Sequence, residues 1–313
     1  MNNNVQYADS STKVKTNRNK TAIINKYYPY LLIAPTVVLI ISIMIYPIYR
    51  VFYLSFQNYD LTNSWADGFA GFGNYVKLFT QDTMFLSSIG ITLKWVISQV
   101  VLQLFFGMIV ALILNKTFKF RGIVRAVSLV PWAVSGVLVT MLWSLMFDQN
   151  TGLINDLLMK MHIISAPIAW LADLRTYFGA ITVAELWRGI PFFAITLLAS
   201  LQGIPGEIYE SSSLDGCGPV KTFFFITLPY LKESIVFATL LRSIWEFNSI
   251  DMIFTMTNGG PMDKTTTLPI YMMKTAIIQG NYGYGSTIGV VTFLFLLIFS
   301  FIYIKKSGFG GES

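Results

Sequence analysis

Six segments of this chain are apolar over bilayer length, and that repetition limits the fold more than any motif does. A membrane span needs roughly 20 apolar residues. The segments are Tyr30 to Tyr49, which VFYLSF can extend, about Phe85 to Leu114, Ile123 to Phe147, Tyr177 to Leu201, Ile235 to Thr255, and Ser286 to Ile304. Lys94 interrupts the second near its start. Composition agrees: 54% of the residues are hydrophobic and 12% charged, where a soluble domain carries about 25% charged residues. The sequence therefore reads as an all-α membrane protein of six transmembrane helices.

An even number of spans puts both termini on one side, and the excess of Lys and Arg marks the cytoplasmic side. The terminal side collects Lys13, Lys15, Arg18, Lys20 and Lys26, then Lys116, Lys119, Arg121 and Arg125, then Lys221, Lys232, Lys305 and Lys306. The opposite side holds Lys77, Lys160, Arg175, Lys264 and Lys274. Both termini are expected in the cytoplasm. The net charge of +6 is then a topology signal and not a sign of nucleic-acid binding.

Residues 1–28 are polar and basic and read as a disordered tail. The apolar run after them is too long for a signal-peptide core and lacks an A-x-A-like site, so no cleavage is expected. The permease-sized body is 29–305, and 306–313 form a second cytoplasmic tail. The outer-loop stretch GLINDLLMKMH, Gly152 to His162, puts its apolar residues on one helical face. It fits either a helix lying in the interface or one packed over span ends. Chemistry is sparse. A single cysteine, Cys217, excludes an internal disulfide, and with a single histidine, His162, it rules out the usual Cys/His zinc clusters. There is no GxxxxGK[ST] loop. A membrane-embedded enzyme needs convergent His, Asp or Cys residues, and the chain has little to supply.

One loop departs from this pattern. Residues 203–231, between the fourth and fifth spans, include YESSSLDGCGPVKTFFFITLP. Pro205 suits a first helical turn and Glu207 the positive end of the helix dipole. Gly216 can adopt the left-handed conformation that ends a helix, and Pro219 can open a second one, which Pro229 is expected to end. The result is a helical hairpin. It can dock into a partner's groove through its carboxylates and apolar residues, or it can simply connect two spans.

The run Glu210-Ser-Ser-Ser-Leu-Asp215-Gly216-Cys217, followed by Ile226-x-Leu228-Pro229, resembles the EAA loop of ABC importer permeases. Nine residues separate Gly216 from Ile226, as in that family. The flanks resemble its maltose-type carbohydrate branch: LLIAPTVVLIISIMIYPIYRVFYLSF, Trp187-Arg-Gly-Ile-Pro191-Phe192-Phe193, Leu201-Gln-Gly-Ile-Pro205, Trp245-Glu-Phe-Asn248 and Thr257-Asn-Gly-Gly-Pro261. The resemblance covers about residues 30–305. Ser211-Ser212 replaces Ala-Ala, and Glu233 stands where a proline often follows LPxL.

The resemblance implies a type I ABC importer permease fold in the bacterial cytoplasmic (inner) membrane, with a coupling-helix hairpin before the fifth helix. It implies a non-enzymatic transport subunit. Its expected partners are a sister permease in a heterodimer, two copies of an ABC ATPase that carry ATP and Mg, and an extracellular or periplasmic solute-binding protein. No cofactor is expected on this chain. The coupling set is Glu210, Ser211, Ser212, Asp215, Gly216, Leu228 and Pro229. Glu210 is the first choice for an ATPase contact, and Asp215 either joins it or caps locally. The 259–261 turn and Thr266 resemble the region that faces the binding protein, or form a simple turn.

Charged residues inside a span are costly and mark a water-filled path. Arg188, Arg242 and Glu246 fall in spans, with Arg242 and Glu246 at i, i+4. The stretches that carry sugar contacts in the family give Arg188, Gly189, Phe192, Arg242, Trp245 and Glu246 as the substrate set. The alternative is a structural Arg242–Glu246 ion pair, with Arg188 snorkelling. Two arginines against one glutamate favour an acidic sugar, such as a uronic-acid oligosaccharide, or a glycerol phosphate or polyol phosphate. The remaining rival is a six-span channel or secondary transporter that works without an ATPase.

Overall fold

The computed structural model describes residues 28–63, 65 and 67–307. The predicted basic tail, up to residue 27, and the end of the chain after Ser307 lie outside the described residues. The chain divides into two units, Met1–Leu54 and Ser55–Ser313. The first contains helix α1, Tyr28–Ser55, up to its last residue, and the apolar side chains of α1 are exposed as far as Val51. A single π-helical stretch, Ile41–Ile45, lies just before Pro47. Such a wider turn accommodates a proline that cannot donate to the helical ladder.

The second unit begins with a short antiparallel hairpin, β1 (Gln57–Asn58) and β2 (Gly68–Phe69). Helix α2 (Gly73–Thr80) and the long α3 (Thr83–Asn115) follow. Asp82 caps α3, accepting from the Phe85 amide at 2.9 Å. The same carboxylate accepts from the hydroxyls of Tyr271 and Tyr284, both at 2.6 Å. Burial raises its pKa, but the hydrogen bonds from the two tyrosines and the backbone outweigh that and hold it below the usual carboxylate value.

The third apolar segment is not the single straight span expected from Ile123 to Phe147. It is two helices, α4 (Arg121–Ala133) and α5 (Gly136–Met146), bent by 90°. Pro131 removes a backbone donor, Val134 is extended, and Gly136 restarts the helix. Helix α6 (Leu153–Lys160) occupies the loop that follows. Asn155, 2% exposed, fixes that loop: it donates to the Ile168 carbonyl at 2.9 Å and accepts from the Trp170 indole at 2.9 Å. Leu153, Leu157 and Met161 stay exposed.

Helix α7 (Tyr177–Gln202) is the fourth span and packs along α3. Gly107 permits their close approach, since an added Cβ would strike Phe193. The loop 203–231 forms the expected hairpin of α8 (Gly206–Leu214) and α9 (Pro219–Tyr230). Pro205 is the cap of α8 and not its first helical residue. Pro229 does not end α9. A π-helical stretch, Phe223–Thr227, precedes it and accommodates the ring. The bend of 65° comes after Tyr230, at Leu231.

The fifth span, Lys232–Thr257, carries a short interruption of its own. Helix α10 (Lys232–Phe247) stops at Asn248, and α11 (Asp251–Thr257) resumes after Ile250. Helix α12 (Leu268–Ile278), unforeseen as an apolar helix, packs against α13 (Tyr282–Ser307), the last span. By length and composition four helices can cross a membrane, and up to six spans result if each bent pair, 121–146 and 219–257, counts as one.

Candidate functional site

A cavity of about 420 Å³ opens where the two broken spans meet α7. Trp132 from the end of α4 lines it, with Glu185 and Arg188 from α7, Arg242, Trp245 and Glu246 from α10, and Asn248, Ser249, Ile250 and Asp251 around the α10–α11 break. Helix breaks at membrane depth are tolerated where they line a cavity, and broken helices recur at transporter substrate sites.

Its floor is a buried charge network. Arg242 is 6% exposed and Glu185 and Glu246 are each 2% exposed. One guanidinium nitrogen of Arg242 lies 2.8 Å from Glu185 and 2.7 Å from Glu246. Its Nε donates to Gln103 Oε1 at 2.7 Å, and Gln103 Nε2 donates to Glu246 at 2.9 Å. The Trp95 indole donates to the other Glu246 oxygen at 3.1 Å. Gln99 accepts from Gln103 at 3.1 Å. Buried charges survive only when paired and hydrogen-bonded, and Arg242 and Glu246 meet that condition. Glu185 is less complete: its Oε2 has no hydrogen bond and faces Arg188 at 3.6 Å.

The six substrate-set residues therefore separate by position. Arg188, Arg242, Trp245 and Glu246 line the cavity. Phe192 sits behind, its ring 5.1 Å from that of Trp245. Gly189 faces away, toward Gln103, where an added Cβ would overlap the amide. The Arg242–Glu246 ion pair of the alternative reading is present. Arg188, with its side chain 30% exposed, pairs with Glu185 and packs on Gly136, so it does not snorkel free.

The charge count that favoured an acidic substrate changes here. Glu185 and Asp251 join the lining, so two arginines face three carboxylates. The Glu185 signal was present in the sequence, since it lies at i, i+3 from Arg188. Trp95, Gln99 and Gln103 are spaced by four along one helical face.

In the hairpin, Gly216 is left-handed, with φ +75°, and an added Cβ there would meet no atom within 4 Å. Glu210, Ser211 and Asp215 are exposed, and Ser212 is buried. Tyr209 and Thr227 join the two arms through their hydroxyls at 3.3 Å. Leu228 is half-buried and Pro229 exposed. The 259–261 turn is tight: Asn258, Met262 and Asp263 have positive φ, and Thr266 is buried, donating to the Gly259 carbonyl at 3.2 Å.

The architecture is that of an ABC importer permease. Residues 103–305 match the family described as "Binding-protein-dependent transport system inner membrane component", and the chain belongs to it. It is 34% identical over 280 residues to the trehalose/maltose transport system permease protein of Thermococcus litoralis, covering 90% of this chain and 93% of that one. It is also 34% identical over 275 residues to the sulfoquinovosyl glycerol transport system permease protein of Agrobacterium fabrum, with 88% of each covered. A crystal structure of a bacterial ABC transporter involved in importing the acidic polysaccharide alginate aligns with a TM-score of 0.81 at 19% identity, over 94% of this chain and 100% of that one. The protein is a transport component of the inner membrane and not an enzyme.

Proposed function

We propose that this chain is the permease subunit of an ATP-driven importer for a sugar or oligosaccharide, and that the cavity at the two helix breaks holds the sugar in transit. The cavity itself carries the reading: Trp132 and Trp245 supply aromatic surface for a sugar, and Arg188 and the open Glu185 oxygen offer a donor and an acceptor to hydroxyls. The sugar names of the relatives point the same way.

A neutral sugar is the substrate class proposed. With Glu185, Glu246 and Asp251 against Arg188 and Arg242, a uronate or a phosphorylated polyol gains no net attraction from this subunit. The pathway is completed by a sister permease, and a solute-binding protein delivers the sugar. Two ATPase subunits, which hold ATP and Mg, drive the cycle through the hairpin at Gly216. Glu210 and Asp215 are exposed there for contact, and both termini are cytoplasmic. Uptake by the reconstituted complex tests this, with a panel of neutral and acidic oligosaccharides. Saturable ATP-dependent uptake of neutral members, weakened by Trp245→Ala and Arg188→Gln, is expected. Selective uptake of acidic members overturns the neutral assignment, and uptake without ATP overturns the importer.

A further inference from the structure

A second concave surface lies at the opposite end of α10 from the sugar cavity. It is a groove of about 520 Å³ between the start of α10 and the end of α13. Lys232 and Lys306 stand at its rim, with Tyr303, and Val236, Phe299 and Ile302 form its apolar wall. The Tyr303 hydroxyl is tied to Thr239, which fixes the ring as one side of the groove. Among the described residues neither lysine has a carboxylate within ion-pair distance, and both are exposed.

Depth decides what such a groove meets. Helix α13 has 26 residues, about 39 Å at 1.5 Å per residue, against a hydrocarbon core of about 30 Å. Its last turn, with Lys305 and Lys306, therefore emerges at headgroup level, and Lys232 at the start of α10 borders the same groove. The apolar wall continues down from the lysines into acyl-chain depth.

We propose that this groove binds an anionic phospholipid, its phosphate between Lys232 and Lys306 and one acyl chain against Val236, Phe299 and Ile302. Basic pockets between membrane helices suit such headgroups.

The test uses the full chain in its assembled complex, in phosphatidylcholine nanodiscs doped with phosphatidylglycerol that carries a diazirine on one acyl chain. Crosslinks are mapped by peptide. Label on the peptides of Val236, Phe299 or Ile302 is expected, displaced by unlabelled phosphatidylglycerol but not by phosphatidylcholine or inorganic phosphate. Lys232→Gln with Lys306→Gln lowers it up to about 30-fold, while a complex of unchanged elution volume shows that folding is intact. Label indifferent to headgroup overturns the proposal, as does equal label in the double variant. Displacement by inorganic phosphate assigns a phosphate site instead. Absence of label in the assembled complex means that a partner subunit covers the groove, and this also overturns it.

Discussion

Gly189→Ala separates a packing glycine from a sugar contact. Alanine is favoured over glycine in a helix interior by about 1 kcal/mol, so in open space the change stabilises. At Gly189 the three atoms nearest an added Cβ all belong to the Gln103 amide, and they overlap it. The amide must leave, giving up its hydrogen bonds to Arg242 and Glu246. Hydrogen bonds to charged groups contribute about 1.5–3 kcal/mol each. The net loss is therefore about 2–5 kcal/mol. In a Gln103→Ala background the obstructing amide is absent, and Gly189→Ala becomes neutral or stabilises by up to about 1 kcal/mol. Unfolding midpoints of the four proteins of this cycle, in nanodiscs, measure the reversal of sign. Losses that add within about 0.5 kcal/mol refute the reasoning, because the two residues would then not share a contact.

Glu185→Ala leaves Arg188 without its carboxylate and Arg242 with only Glu246. Removing one member of a buried ion pair costs about 3–5 kcal/mol, so this variant loses more thermal stability than Arg188→Gln. At Gly216 the surroundings are open, so the cost of Gly216→Val is conformational, about 1–2 kcal/mol. Sugar taken up per ATP hydrolysed falls, and Gly216→Asn, which tolerates the left-handed region, recovers most of it. Asp82 has a lowered folded pKa, so its contribution is complete above the unfolded carboxylate value and is lost as pH falls through the folded one. Acid unfolding of the wild type is therefore steeper than that of Asp82→Asn, as near-UV circular dichroism between neutral pH and pH ~3 will report.

The spans were legible because hydropathy is additive along a helix. Tyr177–Gln202 and Thr83–Asn115 differ from the expected ends by at most two residues. The hairpin was legible because its punctuation is local: Gly216 is left-handed and Pro219 opens α9, as expected. The breaks were not legible. At Val134-Ser135 the local punctuation, Pro131 and Gly136, is too slight to lower the hydropathy of the run, and Ser249-Ile250 is as apolar or small as its surroundings, so tertiary packing decides that the chain turns there. Glu185 was overlooked for a different reason. A single acid inside AITVAELW barely lowers the hydropathy of its span, yet at i, i+3 from Arg188 it changes the charge of the cavity. Position along a face carried that information, and the sum along the helix concealed it.

Ser249 lines the cavity and lies in the break between α10 and α11. A Ser249→Cys variant in a Cys217→Ser background leaves one thiol in the chain. Its rate of modification by a small methanethiosulfonate, in the complete reconstituted importer, tests directly whether sugar occupies this space. The account predicts slower modification when transported sugar and ATP are present together, with no slowing by a sugar that the complex does not take up. An unchanged rate, under conditions where the same vesicles accumulate the sugar, contradicts it.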